Sequence, residues 1–311
     1  MINRNIKSAV VTGPTGAIGT ALCLELAKND ILVYAVCRPF SSRASAIPEH
    51  ANIRKVYCEL STMDNLKNLI NDKVDAFYHF AWAHTIGEGR NDMTAQISNI
   101  QYTIDAVKSA KELGCSVFIG AGSQAEYGRV DGVLSSNTPC FPENGYGIAK
   151  FCAGNMSRIE CEKLDMDHVW VRILSVYGPG DSSSTMISGL ITKLLNGEKP
   201  SLTKGEQKWD YLFSYDAARA FRIIAESGVT GKTYVLGSGK ANPLLSYVEK
   251  IRDIINPSLS LGVGEVPYSP KQVMHLEADI SELSADTGFE PLVDFNEGAE
   301  ITVNAFRGTT K

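Results

Sequence analysis

Residues 12–19 of the chain read Thr-Gly-Pro-Thr-Gly-Ala-Ile-Gly. They follow a short apolar run, Ser8–Thr12, that predicts a buried strand, and they lead into Ala17–Lys28, which has the pattern of an amphipathic helix. A glycine-rich turn between a strand and a helix is typical of dinucleotide sites, because the helix N-terminus presents amides and a positive dipole to a pyrophosphate. The segment therefore predicts such a site at the start of an α/β fold.

The glycines of this turn have separate physical uses. Gly13 permits the tight turn, Gly16 lets the backbone approach the pyrophosphate, and Gly19 lets the helix pack close to the strand. A glycine-rich turn that binds no ligand is the alternative interpretation. The predicted cofactor contacts of the segment are Gly13, Thr15, Gly16, Ala17 and Ile18.

Short apolar runs alternate with helical patterns along the first part of the chain. The runs predict strands at Ser8–Thr12, Leu32–Cys37, Ile53–Cys58, Ala76–His79, Ser116–Gly120, Val169–Ile173 and Thr233–Leu236. The helical patterns lie at Ala17–Lys28, Met63–Asn71, Gln96–Leu113 and Gly145–Leu164. Such alternation predicts right-handed crossovers and a doubly wound (Rossmann) parallel sheet of about seven strands.

The alternation fades from about Tyr177 onward, where glycine, proline and polar residues become denser. Short helices are predicted at Met186–Leu195 and Leu244–Ile255. We therefore predict a dinucleotide-binding domain over residues 1–177, to which residues from about 211 to 236 return, and a smaller substrate-binding domain over 178–311.

The bulk composition excludes several classes of function. A net charge of −5 attracts neither nucleic acid nor an anionic membrane, and no apolar run approaches the roughly 20 residues of a membrane span. The seven cysteines form no CxxC or Cys/His cluster, so neither a metal site nor a disulfide framework is predicted. His50 and His168 are predicted at the surface or in loops. Without the apolar core of a signal peptide at its start, the chain is predicted to be cytoplasmic.

The end of the second predicted strand indicates which dinucleotide is bound. NAD sites place a carboxylate about 20 residues beyond the glycine-rich turn, where it bonds the ribose hydroxyls. Here the strand ends in Arg38, and Ser41, Ser42 and Arg43 follow with no acid among them. Because arginines pair with a 2′-phosphate that a carboxylate would repel, Arg38, Ser41 and Arg43 predict NADP(H). A solvated surface arginine is the alternative.

A tyrosine and a lysine four residues apart form the candidate catalytic group. Tyr146 and Lys150 lie one helical turn apart on one face, so the ammonium could lower the pKa of a phenol whose reference value is about 10. Ser123 follows the fifth predicted strand, and the C-terminal ends of such strands carry the ligand crevice. Taken alone, the pair could equally be a partly buried tyrosine beside a surface lysine.

Together these motifs stand in the order found in the extended short-chain dehydrogenase/reductases, also called the NAD-dependent epimerase/dehydratase family. The chain resembles this family over nearly its whole length. The matching segments are Thr12–Gly19 (TGxxGxxG), Glu59-Leu60 (an acid near adenine), His79–Ala83 (HxAA), Asn99–Thr103 (NVxGT), Ser123–Gly128 (the serine segment), Tyr146 with Lys150 (YxxxK), Arg172–Pro179 (RxxNxYGP) and Gln207–Asp216 (RDxxxVxD). The resemblance implies Ser123, Tyr146 and Lys150 as catalytic residues, and further cofactor contacts from Glu59, Leu60, Ala81, Asn99 and Leu174.

Departures from the family pattern narrow the substrate. Ser175 replaces the Asn of RxxNxYGP, and Trp209 stands where many members have the Arg that clamps a diphosphate, so Lys208, Lys204 or Lys271 would have to substitute. Dehydratases of the family have Thr-Asp-Glu where this chain has Ser-Gln-Ala at residues 123–125.

The sequence of residues 122–128 resembles that of nucleotide-sugar 4-ketoreductases such as the CDP-abequose, CDP-paratose and dTDP-fucose synthases. We therefore predict an NADPH-dependent reductase of the 4-keto group of a nucleotide-activated (6-deoxy)hexose, acting as a homodimer. A nucleotide-sugar 4-epimerase that retains NAD and a non-catalytic NADP-binding sensor are the alternatives. The predicted substrate contacts are Thr85, Gln124, Ser175, Lys208, Trp209 and His275.

Overall fold

The computed structural model describes residues 3–309. Its strands are β1 (Ser8–Thr12), β2 (Leu32–Cys37), β3 (Ile53–Tyr57), β4 (Ala76–His79), β5 (Val117–Ser123), β6 (Gly132–Leu134), β7 (Asp167–Ile173), β8 (Ser175–Tyr177), β9 (Lys208–Phe213), β10 (Thr233–Leu236), β11 (Ala241–Pro243) and β12 (His275–Ala278). Its α-helices are α1 (Ala17–Lys28), α2 (Leu66–Leu69), α3 (Met93–Glu112), α4 (Gly145–Lys163), α5 (Met186–Leu195), α6 (Ser214–Ser227), α7 (Leu244–Ile255), α8 (Ser281–Thr287) and α9 (Phe295–Thr309). No helix within the described range is long and apolar enough to cross a membrane.

The main sheet has seven parallel strands in the order β10-β7-β5-β4-β1-β2-β3. This confirms the predicted doubly wound fold. Its central strands form because their residues are apolar on both faces, and Ala9, Val10 and Val11 of β1 are completely buried between the two helical layers. Strand β10, predicted at the same residues, returns to pair with β7. The order reverses between β1 and β4, which opens a crevice at the C-terminal ends of these strands.

A second sheet pairs β11, β9, β12 and β6 in that order, and β8 also pairs with β9. The sequence did not predict these strands, and three of them, β6, β8 and β11, have only three residues each and leave no periodic signal. Strand β6 precedes residue 177 and nevertheless pairs with β12. The division into domains at residue 177 stays a prediction.

Three local expectations were wrong. The helix predicted over Met63–Asn71 is a 3₁₀ stretch, Leu60–Asn65, followed by the short α2. Strand β5 continues to Ser123 instead of ending at Gly120. His168 is buried in β7, because this strand lies inside the sheet, and its Nε2 lies 2.9 Å from the Ser157 hydroxyl.

Candidate active site

The structure brings Ser123, Tyr146 and Lys150 together at the end of β5. Ser123 is the last residue of this strand, and Tyr146 and Lys150 lie on the first turns of α4. The helix starts there because the Asn144 side chain accepts a hydrogen bond from the Gly147 amide at 2.9 Å. A side-chain hydrogen bond links Tyr146 to Ser123, and Lys150 Nζ donates to the Ala121 carbonyl at 2.7 Å.

Two cations face the Tyr146 phenol, and the sequence predicted only one of them. Lys150 Nζ lies 5.9 Å from the centre of the phenol ring, whereas the Arg90 guanidinium carbon lies 4.7 Å from it. Burial raises the pKa of Tyr146, and the hydrogen bond from Ser123 and the charge of Arg90 lower it. Burial also lowers the pKa of Lys150 to about 7, against the opposing effect of Glu126. Arg90 lies in a polar loop with no pattern around it, so no signal in the sequence identified it.

The buried Glu126 carboxylate fixes the backbone at Ser123. It is 1% exposed, accepts from the Ser123 amide at 2.8 Å and from the Trp170 indole at 3.0 Å, and pairs with Arg172 at 2.8 Å. The Ser123 hydroxyl in turn accepts from the Ala125 amide at 3.2 Å, which completes a capping box around the 3₁₀ turn that follows β5. The position of Ser123 therefore depends on a buried ion pair.

Trp170 packs against glycine on two neighbouring elements. Glycine stands at three positions where an added Cβ would lie only 2.2–2.7 Å from an atom of the indole: Gly120, Gly122 and Gly154. This close approach places the indole NH on Glu126.

The first cavity on this edge of the sheet, of about 490 Å³, is bounded by the glycine-rich turn, the end of β2 and the segment after β4. A second cavity, of about 250 Å³, continues from the turn to Tyr146 and Lys150. Predicted residues that line one or both are Gly13, Thr15, Gly16, Ala17, Ile18, Arg38, Ser41, Arg43, Leu60, Ala81, Thr85, Tyr146 and Lys150. Together we call these two spaces the cofactor cavity.

The residues of the turn fit a dinucleotide. A Cβ at Gly19 would lie 2.2 Å from the Gly13 carbonyl oxygen, so α1 packs directly on the turn. A Cβ at Gly16 would meet only that oxygen, at 3.9 Å, so the backbone at the start of α1 is open to the cavity. The Arg38 side chain makes no hydrogen bond or ion pair within residues 3–309 and remains available to a phosphate.

Four predicted contacts do not lie on the wall of a cavity. Glu59 is exposed, and Asn99 is buried with its amide bonded to the backbone of Ala83 at 3.0 and 2.9 Å. Lys208 is exposed on the opposite side of β9 from Trp209, because successive strand residues alternate in direction. His275 pairs with Glu277 at 2.8 Å. Their roles toward ligands stay predictions.

Trp209 contributes to the walls of two further cavities, of which one also includes Ser123 and Tyr146. The reaction-side cavity, of about 270 Å³, includes Ser123, Tyr146, Thr85, Gln124 and Arg90. The distal cavity, of about 400 Å³, includes Ser175, Leu174 and Trp209. The indole NH of Trp209 donates to the Ser175 hydroxyl at 2.8 Å, so the two substituted family positions contact each other.

Comparison with known families agrees with this geometry. The pattern of the NAD dependent epimerase/dehydratase family matches residues 9–237, which include the glycine-rich turn, Ser123, Tyr146 and Lys150. The chain belongs to this family. The family assignment made from the sequence motifs is thereby confirmed.

Several named proteins resemble the chain along most of its length. The chain is 24% identical to a low-salt glycan biosynthesis protein of Haloferax volcanii over 96% of this chain and 98% of the relative. It is 26% identical to a dTDP-6-deoxy-L-talose 4-dehydrogenase (NAD(+)) of Aggregatibacter actinomycetemcomitans over 78% and 88% of the two chains. An epimerase of Methanothermobacter thermautotrophicus has a similar fold, with a TM-score of 0.88, 21% identity, and coverage of 98% and 94%.

Proposed function

We propose that the protein is an NADPH-dependent reductase of the 4-keto group of a nucleotide-activated hexose. One observation supports this proposal most: the wall of the larger space of the cofactor cavity includes Arg38, Ser41 and Arg43 and no carboxylate. The smaller space also includes Asp181, on the wall that it shares with Tyr146 and Lys150. An exchangeable NADPH suits a net reduction, whereas an epimerase retains its cofactor.

Arg38, Ser41 and Arg43 all lie on the wall of this larger space. Asp181 is the nearest acid in the chain sequence to Gly180, whose carbonyl accepts a hydrogen bond from Arg43 at 2.9 Å. Its carboxylate is directed to the start of α5, where it accepts from the hydroxyls of Thr185 and Ser188 at 2.7 and 3.2 Å. Asp181 therefore does not take the place of the ribose-binding acid of NAD sites, which follows the second strand.

The residues of the site have separate roles in this proposal. Bound NADPH supplies a hydride to the carbonyl carbon. The Tyr146 hydroxyl donates its proton to the carbonyl oxygen, and the Ser123 hydroxyl orients that oxygen. The buried Lys150 ammonium, 5.9 Å from the centre of the Tyr146 ring, favours the phenolate that remains. Arg38 and Arg43 pair with the 2′-phosphate.

A nucleotide-sugar 4-epimerase is the second candidate, because the structurally similar protein of M. thermautotrophicus is an epimerase and the same three residues would serve both reactions. The intact group of Ser123, Tyr146 and Lys150 argues against a non-catalytic sensor. The Gln124-Ala125 pair beside Ser123 offers no acid and base for the removal of water.

We also propose a homodimer, formed through α3 and α4. These helices pack against each other and leave apolar side chains exposed on their outer faces: Met93, Ile97, Ile148, Met156 and Ile159. Sedimentation at micromolar concentration tests this proposal, and a monomer alone would contradict it.

The decisive experiment follows NADPH consumption with a panel of nucleotide-linked 4-keto-6-deoxyhexoses and identifies each product by NMR. Tyr146→Phe removes only the hydroxyl, so we expect turnover to fall about 10²–10⁴-fold while NADPH affinity stays nearly unchanged. Lys150→Met should lower both turnover and affinity, and Ser123→Ala mainly turnover.

Two outcomes would overturn the proposal. Near wild-type turnover in Tyr146→Phe would show that the proton donor is wrong. Interconversion of 4-epimers by the wild type without NADPH consumption would establish the epimerase instead.

A further inference from the structure

Positive charge is unevenly distributed between the two substrate cavities. The wall of the distal cavity includes no lysine or arginine, and its one ionisable acid is Asp181. Lys204, Lys208 and Lys271 are exposed and lie on the wall of neither cavity. The reaction-side cavity, in contrast, includes two arginines, Arg90 and Arg129.

Only one of these arginines has a charge free for a ligand. Arg129 forms a two-fold hydrogen bond with Glu143, at 2.8 and 2.7 Å, which neutralises it. Arg90 makes no side-chain hydrogen bond or ion pair with any residue from 3 to 309, and its buried Nε has no partner. Burying a guanidinium nitrogen without an acceptor is unfavourable, so the site is incomplete without one.

The fold holds Arg90 in place beside the reaction centre. Its guanidinium lies over the Tyr146 ring, with 4.7 Å between the guanidinium carbon and the ring centre. The adjacent Asn91 side chain accepts from the Gly145 amide at 3.0 Å, which fixes the loop to the start of α4. Gln124, on the same wall, has a buried Oε1 that also has no partner among the described residues.

We propose that Arg90 forms a subsite for an anionic oxygen group of the substrate, a carboxylate or a phosphate, beside Tyr146 in the reaction-side cavity. The Gln124 Oε1 accepts a hydrogen bond from a hydroxyl of the same substrate. The distal cavity then takes an uncharged part, which Trp209 and Tyr211 contact with their aromatic rings. The choice of a sugar as substrate rests on the proposed function; the subsite itself does not.

The anion has two possible sources. A hexuronic acid would present the carboxylate of its C6, which is attached to the carbon next to the C4 carbonyl. A nucleotide-linked neutral hexose would present its diphosphate instead. The carboxylate source requires a sugar that is oxidised at C6, and the phosphate source does not.

Titration calorimetry distinguishes the sources with four probes: D-glucuronate, inorganic pyrophosphate, UDP-glucose and UDP-glucuronate. Arg90→Gln removes the charge, and loss of a charge-assisted hydrogen bond should weaken the affected probes about 10- to 100-fold. Arg90→Lys keeps the charge without the bidentate geometry and should fall between wild type and Arg90→Gln. Because lysine preserves the charge of the loop, it also shows whether a loss reflects folding.

Two controls separate the subsite from general charge. Arg54→Gln makes the same change of net charge at an exposed residue outside these cavities and should leave all four affinities unchanged. Arg129→Gln changes the same cavity at an arginine that Glu143 already neutralises, so its effect should be smaller than that of Arg90→Gln.

If Arg90→Gln weakens the binding of glucuronate and UDP-glucuronate alone, the anion is the carboxylate. If it weakens the binding of pyrophosphate and both nucleotide sugars equally, the anion is the phosphate. A wild type that binds none of the anionic probes, or an Arg90→Gln variant with unchanged affinities, overturns the subsite. If the protein binds anions through Arg90 but consumes no NADPH with any sugar, the subsite is supported and the proposed function is wrong. Conversely, if Arg90→Gln reduces a 4-keto sugar with unchanged kcat/KM, the proposed function is supported and the subsite is wrong.

Discussion

The cofactor cavity and the substrate cavities lie side by side but are built from different parts of the chain. The wall of the cofactor cavity begins with the backbone of one continuous segment, residues 12–19, where close packing depends on glycine. The substrate cavities instead take side chains from segments far apart, such as Arg90, Gln124, Ser175 and Trp209. A site built from backbone tolerates little change, whereas a site built from scattered side chains can alter its ligand one residue at a time.

Removing the Glu126 carboxylate should have the largest effect on the stability of the protein. Glu126→Ala leaves Arg172 buried without its partner, and breaking such a pair costs about 3–5 kcal/mol of unfolding free energy. Urea unfolding measures this loss. Glu143→Ala is the matched control, because it breaks an exposed pair with Arg129 and should cost far less stability than Glu126→Ala. Equal losses in the two variants would contradict the importance of the buried pair.

Replacing an arginine of the cofactor cavity should change cofactor choice without changing the substrate side. Arg38→Asp removes a charge-assisted contact worth about 1.5–3 kcal/mol and adds a repulsive charge, so NADPH affinity should fall at least about 10- to 100-fold. NADH affinity should change much less. Fluorescence titration with both cofactors measures the ratio. A wild type that prefers NADH, or an equal loss for both cofactors, would exclude the NADP assignment.

Two glycine substitutions separate folding from cofactor binding. Gly19→Ala places a Cβ 2.2 Å from the Gly13 carbonyl oxygen and should cost about 1–3 kcal/mol of stability. Gly16→Ala has room in the free protein, so its stability should change by less than about 0.5 kcal/mol while the added methyl obstructs the pyrophosphate. Thermal unfolding and NADPH titration test both. Normal NADPH affinity in Gly16→Ala would place the pyrophosphate elsewhere.

Acid should act on two buried histidines of the main sheet and on Asp181 with opposite sign. Burial lowers the pKa of His79 and of His168, both in the main sheet, to about 3. Below a pH of about 6.5 the unfolded chain therefore binds protons that the folded chain excludes, and stability falls as pH falls. Burial raises the pKa of Asp181, on the substrate side, so its protonation favours the folded state.

The histidine effect can be measured by urea unfolding at about pH 7.5 and about pH 5.5. Between these values His168→Gln should lose about 1 kcal/mol less stability than the wild type, because one titrating group is absent. The same loss in both proteins would show that His168 is protonated in the folded state.

The contrast between the regions also explains what the sequence could predict. Strands β1, β2, β4 and β10 agree residue for residue with their predicted bounds, because strands buried on both faces are continuous apolar runs. Strands β6, β8 and β11 have three residues each and leave no such pattern.

The candidate catalytic residues could be placed at one site from the sequence because they follow a strand end or share a helix face, whereas their surroundings could not. Glu126 belongs to the segment that identified Ser123, but its partner Arg172 is 46 residues away in the chain. Arg90 is a single arginine in a polar loop, and only the fold places it over Tyr146. Lys208 was predicted from its residue type alone, and it is exposed and lies on the wall of neither substrate cavity, so its role stays a prediction.

The packing of Trp170 on glycine has a consequence for how such proteins diverge. A methyl group at Gly120, Gly122 or Gly154 would collide with the indole, and a smaller residue at 170 would leave a cavity and remove one hydrogen bond to Glu126. None of the four positions can change alone without loss. Among descendants of a common ancestor, these positions should therefore be inherited or exchanged as a set, and a lineage that lost the tryptophan should have gained side chains at the glycines.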